Sequence, residues 1–257
     1  FEVIKHTKYS IHMSLRVLLR DTEIFPPYLL RKPGVSEEEY FEITDEDSLC
    51  ELFYGELIMH SPASRRREEL FRFLFTLLTI YNEKKKLGAV LGSRFAMRFR
   101  GDLIFEPDII FVEKKRERNI KDTYLEGPCN LVIEILSKTT RNYDLNEKRR
   151  VYRNHAIPEI WLVDPDKKML IVDVLTGSSG SRVSPTGSGI KRERFQGTAG
   201  SGVAIKREGL QGTAYKTKNI RKGVFGSTVL KGFSIRASWL WEEPLPLVTD
   251  CIENLTA

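Results

Sequence analysis

The sequence predicts a mixed α/β chain, a mixed β-sheet with helices packed on it. Three observations carry this. Apolar runs of strand length occur at "DIIFV", "LVIEIL" and on both sides of the "DPDK" turn in "PEIWLVDPDKKMLIVDVL". A helical apolar period runs through "SRRREELFRFLFTLLTIYNEKKK", with Leu70, Phe73, Leu74, Leu77, Leu78 and Tyr81 on one side. The order helix, hairpin, helix, strands, helix, strands belongs to a sheet covered by helices.

Each element has a local reason. "SEEEYFEI" places Ser36 before three acids, a helix start. "LCELFYGELIMHSP", Leu49 to Pro62, predicts two short strands turning near Gly55. The long helix follows, then strands at "RFAMRFR", "DIIFV" and "LVIEIL". Asp144 with Glu147 three residues later has capping-box spacing and predicts a helix starting there. "DPDK" turns between two apolar runs, a hairpin, and "GSTVLKGFSIRASWLW" returns to the core.

The chain divides into residues 1–34, an N-terminal extension; 35–176, the core; 177–222, an insertion; and 223–257, the return to the core. The insertion holds 9 of the chain's 18 glycines. It repeats "IKRERFQGTA" from Ile190 as "IKREGLQGTA" from Ile205, with eight of ten positions identical. Such composition predicts a tolerated, flexible loop, with a basic phosphate-gripping arm as the functional alternative. Its ten Lys and Arg against two acids hold the whole basic excess of a chain with net charge +6, so the charge says little about a groove elsewhere.

Three widely spaced cysteines (Cys50, Cys129, Cys251) give neither a disulfide framework nor a zinc knuckle, and the four histidines lack ligand spacing. The apolar run near Leu70 to Tyr81 is too short for a membrane span and contains Arg72. The N-terminal residues lack the charged, apolar, small-residue succession of a secretion signal. A cytoplasmic protein without membrane partners is expected.

The chemistry concentrates in two acids and a lysine. Glu134 lies inside the apolar run Leu131 to Leu136, where an unpaired carboxylate costs several kcal/mol. Asp108 follows Pro107 at the mouth of another strand. Leu145, Lys148 and Tyr152 share one helix face, which puts Lys148 on the inward stripe. Two carboxylates and a lysine suit metal-assisted phosphodiester hydrolysis: Mg²⁺ prefers oxygen ligands, and a lysine offsets charge on the phosphate. There is no G-x-x-x-x-G-K and no G-x-S-x-G to indicate other chemistry.

"ELFYGELIMHSPAS", "EPDIIFV", "LVIEILSKTTRNYDLNEK", Tyr152, "IPEIWLVDPDKKMLIVDVL" and "TVLKGFSIRASWLW" together resemble the Uma-type restriction endonuclease family of the PD-(D/E)XK nuclease superfamily. The resemblance implies a restriction-endonuclease-like fold, a central mixed β-sheet flanked by helices. It implies a DNA endonuclease with Asp108 and Glu134 as ligands of Mg²⁺ (or Mn²⁺), Lys148 on the following helix as the site lysine, and Glu56 as a third acid. Where such sequences often carry a histidine, this chain has Arg65, Arg66 and Arg67, which suit phosphate binding but not metal ligation. The alternative is a catalytically inactive nuclease-fold protein that binds nucleic acid. By analogy with nucleases that pair to cut both strands, a homodimer is a further expectation.

Overall fold

The computed structural model describes residues 17–19, 22–44, 48–92, 95–178 and 213–256. In chain order these form β1 (Val17–Leu19), β2 (Thr22–Ile24), β3 (Leu29–Pro33), α1 (Glu37–Ile43), β4 (Cys50–Phe53), β5 (Glu56–His60) and α2 (Arg65–Lys85). Next come β6 (Gly88–Gly92), β7 (Ala96–Arg100), β8 (Leu103–Phe105), β9 (Ile109–Glu113), β10 (Tyr124–Glu126), β11 (Leu131–Ile135) and α3 (Arg149–Asn154). The chain continues with β12 (Glu159–Asp164), β13 (Met169–Ser178), β14 (Thr213–Ile220), β15 (Val224–Gly226), β16 (Ser234–Arg236) and α4 (Val248–Thr256).

The mixed α/β class holds, but twelve of the sixteen described strands build two six-stranded sheets in place of one central sheet, and β1–β2 and β15–β16 form two-stranded ribbons. The first six-stranded sheet has the order β10-β7-β8-β4-β5-β3 and the second β14-β13-β12-β11-β9-β6. Each contains one parallel pair, β10 with β7 and β11 with β12. The division falls between β8 and β9, at Glu106, Pro107 and Asp108. Pro107 has no N–H to give a ladder, so the chain leaves one sheet there and enters the other.

Alternation along β11 sets the layers. Leu131, Ile133 and Ile135 face Leu70, Phe73, Leu74, Leu77 and Leu78 of α2. Val132 and Leu136 face the opposite way, toward Phe53, Ile58 and Phe105 of the first sheet and Tyr143, Val151 and Tyr152 of the helical segment. Glu134 points with this second group. Tyr40 of α1 packs with Cys50, Leu52, Leu57 and Ile104 on the first sheet's other side.

Local sequence accounts for most boundaries. Ser36 caps α1 by accepting from Glu39 N, and Ser64 caps α2 by accepting from Arg67 N. Tyr54 and Gly55, at φ 52° and 78°, make the tight β4–β5 turn, which requires left-handed backbone at both positions. The helix expected from Asp144 starts earlier, at Arg141, where Thr140 N donates to Ser137 Oγ at 3.1 Å. Asp144 is therefore no cap. It lies inside a π-helical turn, Tyr143–Lys148, that runs on into α3, and its carboxylate is buried.

Two boundaries differ from the sequence division. Leu29–Pro33, within the expected N-terminal extension, pairs with β5 and forms the edge of the first sheet. At the insertion, β13 runs to Ser178 and β14 (Thr213–Ile220) pairs with it, so residues 177–178 and 213–220 of the 177–222 range are strand. Residues 179–212 lie outside the described residues, with the whole first copy of the duplication and most of the second. Asp173 on β13 is buried and accepts from Arg149, Arg153 and Thr217, which ties α3 and β14 to the sheet. Among the described residues no helix is long and apolar enough to cross a membrane.

Candidate active site

Where the two sheets meet the helical segment, the core holds a cluster of charges. Glu51 comes from β4 of the first sheet, Glu134 from β11 of the second, and Asp144 and Lys148 from the π-helical turn. Lys148 Nζ lies 2.7 Å from Glu134 Oε1, 2.8 Å from Glu51 Oε1 and 3.9 Å from Asp144 Oδ1. It also stands over the Phe105 and Tyr143 rings, at 5.7 and 5.8 Å from their centroids. A lysine with only 4% side-chain exposure does not reach solvent with its ammonium, so the strand glutamate and the helix lysine are partners.

Glu134 Oε1 also accepts from the Tyr152 hydroxyl at 2.5 Å, and Glu51 Oε1 from Glu106 N at 2.9 Å. Asp108, leading into β9, accepts from Arg67 Nη2 at 2.8 Å through one oxygen and from Ile135 N at 2.7 Å through the other. The structure thus brings Asp108, Glu134 and Lys148 together. It holds Glu56 in a different network, where Arg31 of β3 binds Glu56 at 2.7 Å and Glu147 at 2.6 Å.

The three arginines at the head of α2 separate. Arg65 is 93% exposed and pairs with Glu69, whereas Arg66 donates to the carbonyls of Leu240 and Glu242 and so anchors the C-terminal segment. Only Arg67 enters the cluster. Sequence reasoning missed Glu51 and Asp144 as members. Glu51 carried the same signal as Glu134, one acid in the apolar run "LCELF"; Asp144 was hidden by its capping-box spacing.

Charge is out of balance here. Four carboxylates (Glu51, Asp108, Glu134, Asp144) face two cations, Arg67 and Lys148. Burial pushes Glu134 up to about 8, with Lys148 opposing and Asp144, Asp108 and Glu51 reinforcing. Asp144 is pushed up to about 6, chiefly by burial. Burial alone would lower Lys148, but Glu134, Glu51 and Asp144 outweigh it and hold the ammonium protonated. Glu51 moves the other way: burial favours its neutral form, yet Lys148 and His60 outweigh this and keep it ionised. Burial lowers His60.

A hard divalent cation suits this donor set. Asp144 Oδ2 is buried with no hydrogen-bond partner, and Glu51 Oε2 and the adjacent Tyr143 hydroxyl are buried without meeting in hydrogen-bond geometry. Oxygen donors with surplus negative charge match the preference of Mg²⁺. Among the described residues, no group of three or more His, Cys, Asp or Glu stands in ligating arrangement as the side chains are placed.

The raised carboxylates give stability a definite pH dependence. In the folded protein Glu134 and Asp144 hold protons that the unfolded chain releases near its ordinary values of 4.5 and 3.8. Their contribution is fully present below those values and is lost as pH rises through about 6 and then about 8. With a chelator present, the melting temperature is expected to fall between pH 6 and 8.5, by about 2–4 °C for each kcal/mol lost. An ion that bound these carboxylates would flatten the fall by favouring their ionised forms. A melting temperature constant or rising over that range in chelator contradicts the assignment.

Comparison with known proteins follows the same lines. The profile of a family described as "Uma2: Putative restriction endonuclease" matches residues 37–194. Among solved structures, a crystal structure described as a "putative nuclease belonging to DUF820" from Anabaena variabilis is similar in fold. Its TM-score is 0.53 at 13% identity, over 86% of this chain and 99% of that one. No curated protein matches the chain.

Proposed function

Because the chain belongs to the Uma2 family, we propose that it is a Mg²⁺-dependent DNA endonuclease that hydrolyses phosphodiester bonds. The observation that carries this is the charge cluster, with its surplus of buried carboxylate around a single lysine. Asp108 and Glu134 are the residues assigned to hold Mg²⁺, or Mn²⁺ in its place. When bound, the ion supplies a Lewis acid and a water of lowered pKa. Lys148 keeps its positive charge beside Glu134 and offsets charge developing on the phosphate oxygens. Tyr152 orients Glu134 by its hydroxyl hydrogen bond. Arg65, exposed at the head of α2, is available to a neighbouring backbone phosphate. Glu56, held by Arg31, is given no part in this assignment.

One observation favours a second reading, DNA binding without cleavage: both Asp108 oxygens already have partners, Arg67 and the Ile135 N–H. Calorimetric titration with Mn²⁺ separates the two. Wild type is expected to bind, and Glu134→Gln, of nearly the same shape, to lose affinity by roughly 100-fold or more, as befits a lost ligand. Equal affinity in both proteins removes Glu134 from the ligand set. DNA binding by wild type with no ion uptake, even with DNA present, supports the non-catalytic reading.

A further inference from the structure

Arg67 stands where the sequence offered only a run of cations. Its Nη2 holds Asp108 Oδ1 at 2.8 Å, while its Nε is buried with no hydrogen-bond partner, so the guanidinium fork is only partly used. The pair lies at the rim of the cluster. Arg67 and Asp108 keep 14% and 13% side-chain exposure, against 1% each for Glu51 and Glu134. Both line a cleft of about 330 Å³, together with His60, Ser61, Phe71 and Glu106. Of the cluster's charged side chains, Arg67 and Asp108 are the two that line this cleft.

We infer that Arg67 is a latch on Asp108 that a DNA phosphate releases. In the free protein the guanidinium holds Asp108 Oδ1. A phosphate entering the cleft takes Arg67 through its terminal Nη groups, a charge-assisted bond this side chain favours with phosphate. Asp108 Oδ1 is then free for the divalent ion. One charge-assisted bond replaces another, so the exchange is nearly balanced and substrate decides it. Ion and DNA therefore bind with positive coupling, and the coupling acts equally in both directions. This inference rests on the proposed assignment of Asp108 and Glu134 as ion ligands.

Mn²⁺ calorimetry on the full chain tests it, using wild type, Arg67→Gln and Arg72→Gln, the last an exposed arginine of the same helix. Arg67→Gln is expected to bind Mn²⁺ about tenfold tighter than wild type without DNA, within the usual range of site coupling. Arg72→Gln stays within about twofold, showing that net charge alone is not the cause. In anisotropy titrations with a short fluorescent duplex, Ca²⁺ tightens DNA binding to wild type, and this gain shrinks in Arg67→Gln. If circular dichroism shows Arg67→Gln unfolded, Arg67→Lys keeps the charge without the fork and is expected to show the same changes in smaller measure. Equal Mn²⁺ affinity in wild type and the Arg67 variant, with loss in Glu134→Gln, overturns the latch and leaves the ion assignment standing. Failure of every protein to take up Mn²⁺, with or without DNA, overturns both.

Discussion

Replacing Lys148 with methionine is expected to destabilise the protein by about 3–5 kcal/mol, the usual loss when one partner of a buried ion pair is removed. Methionine matches the lysine stem in length and suits the space between the Phe105 and Tyr143 rings, so packing changes little. What changes is charge. Lys148 Nζ stands within 4 Å of Glu51, Glu134 and Asp144, and each would lose that countercharge. Urea unfolding at pH 8 measures the loss. At pH 5.5 the deficit should shrink, because carboxylates without a partner take up protons and stop repelling one another. Cleavage should vanish at both pH values. A cost below about 1 kcal/mol at pH 8 is what an exposed pair would give, and would mean that the ammonium reaches water in solution.

Asp108→Asn is expected to have a large effect on activity. The substitution keeps the shape and removes the negative charge. It also turns an amide N–H₂ toward one of two donors, Arg67 or the Ile135 N–H, at a stability cost of about 1–3 kcal/mol. Metal-dependent cleavage of a DNA duplex should drop by about 1,000-fold, equivalent to roughly 4 kcal/mol of transition-state stabilisation. Assay at a temperature where circular dichroism shows the variant folded separates the two effects. Full cleavage by the folded variant would remove Asp108 from the active site, and with it the proposed function in its present form.

The sequence made Glu134 and Lys148 legible because each violates its surroundings: an acid inside an apolar strand, a cation on an inward helix stripe. Strands such as Ile109–Glu113 and the 21-residue helix Arg65–Lys85 were legible for the complementary reason, that period and composition agree. The rest depended on contacts distant in sequence. Two sheets cannot be told from one when pairing partners such as β3 and β5, or β6 and β9, are separated by whole elements. Glu56 attracted attention beside the Gly55 turn, but its environment is set by Arg31, 25 residues away. Asp144 looked like a cap because the widened π turn that draws it inward has no sequence signature of its own. Arg67 and Asp108 lie 41 residues apart, and nothing local to either predicts that they meet.

On the proposed assignment, the imbalance of four carboxylates against two cations would make this cluster an ion exchanger. Near neutral pH, protons held by Glu134 and partly by Asp144 supply the missing positive charge. On the proposed assignment, an incoming divalent ion does the same work and must expel them, so each uptake acidifies the solution. Ion affinity then steepens with alkalinity, by up to about tenfold per pH unit for each proton displaced. On that assignment protons and the divalent ion would compete for one buried space, and the surrounding pH would control whether the site is charged for chemistry at all.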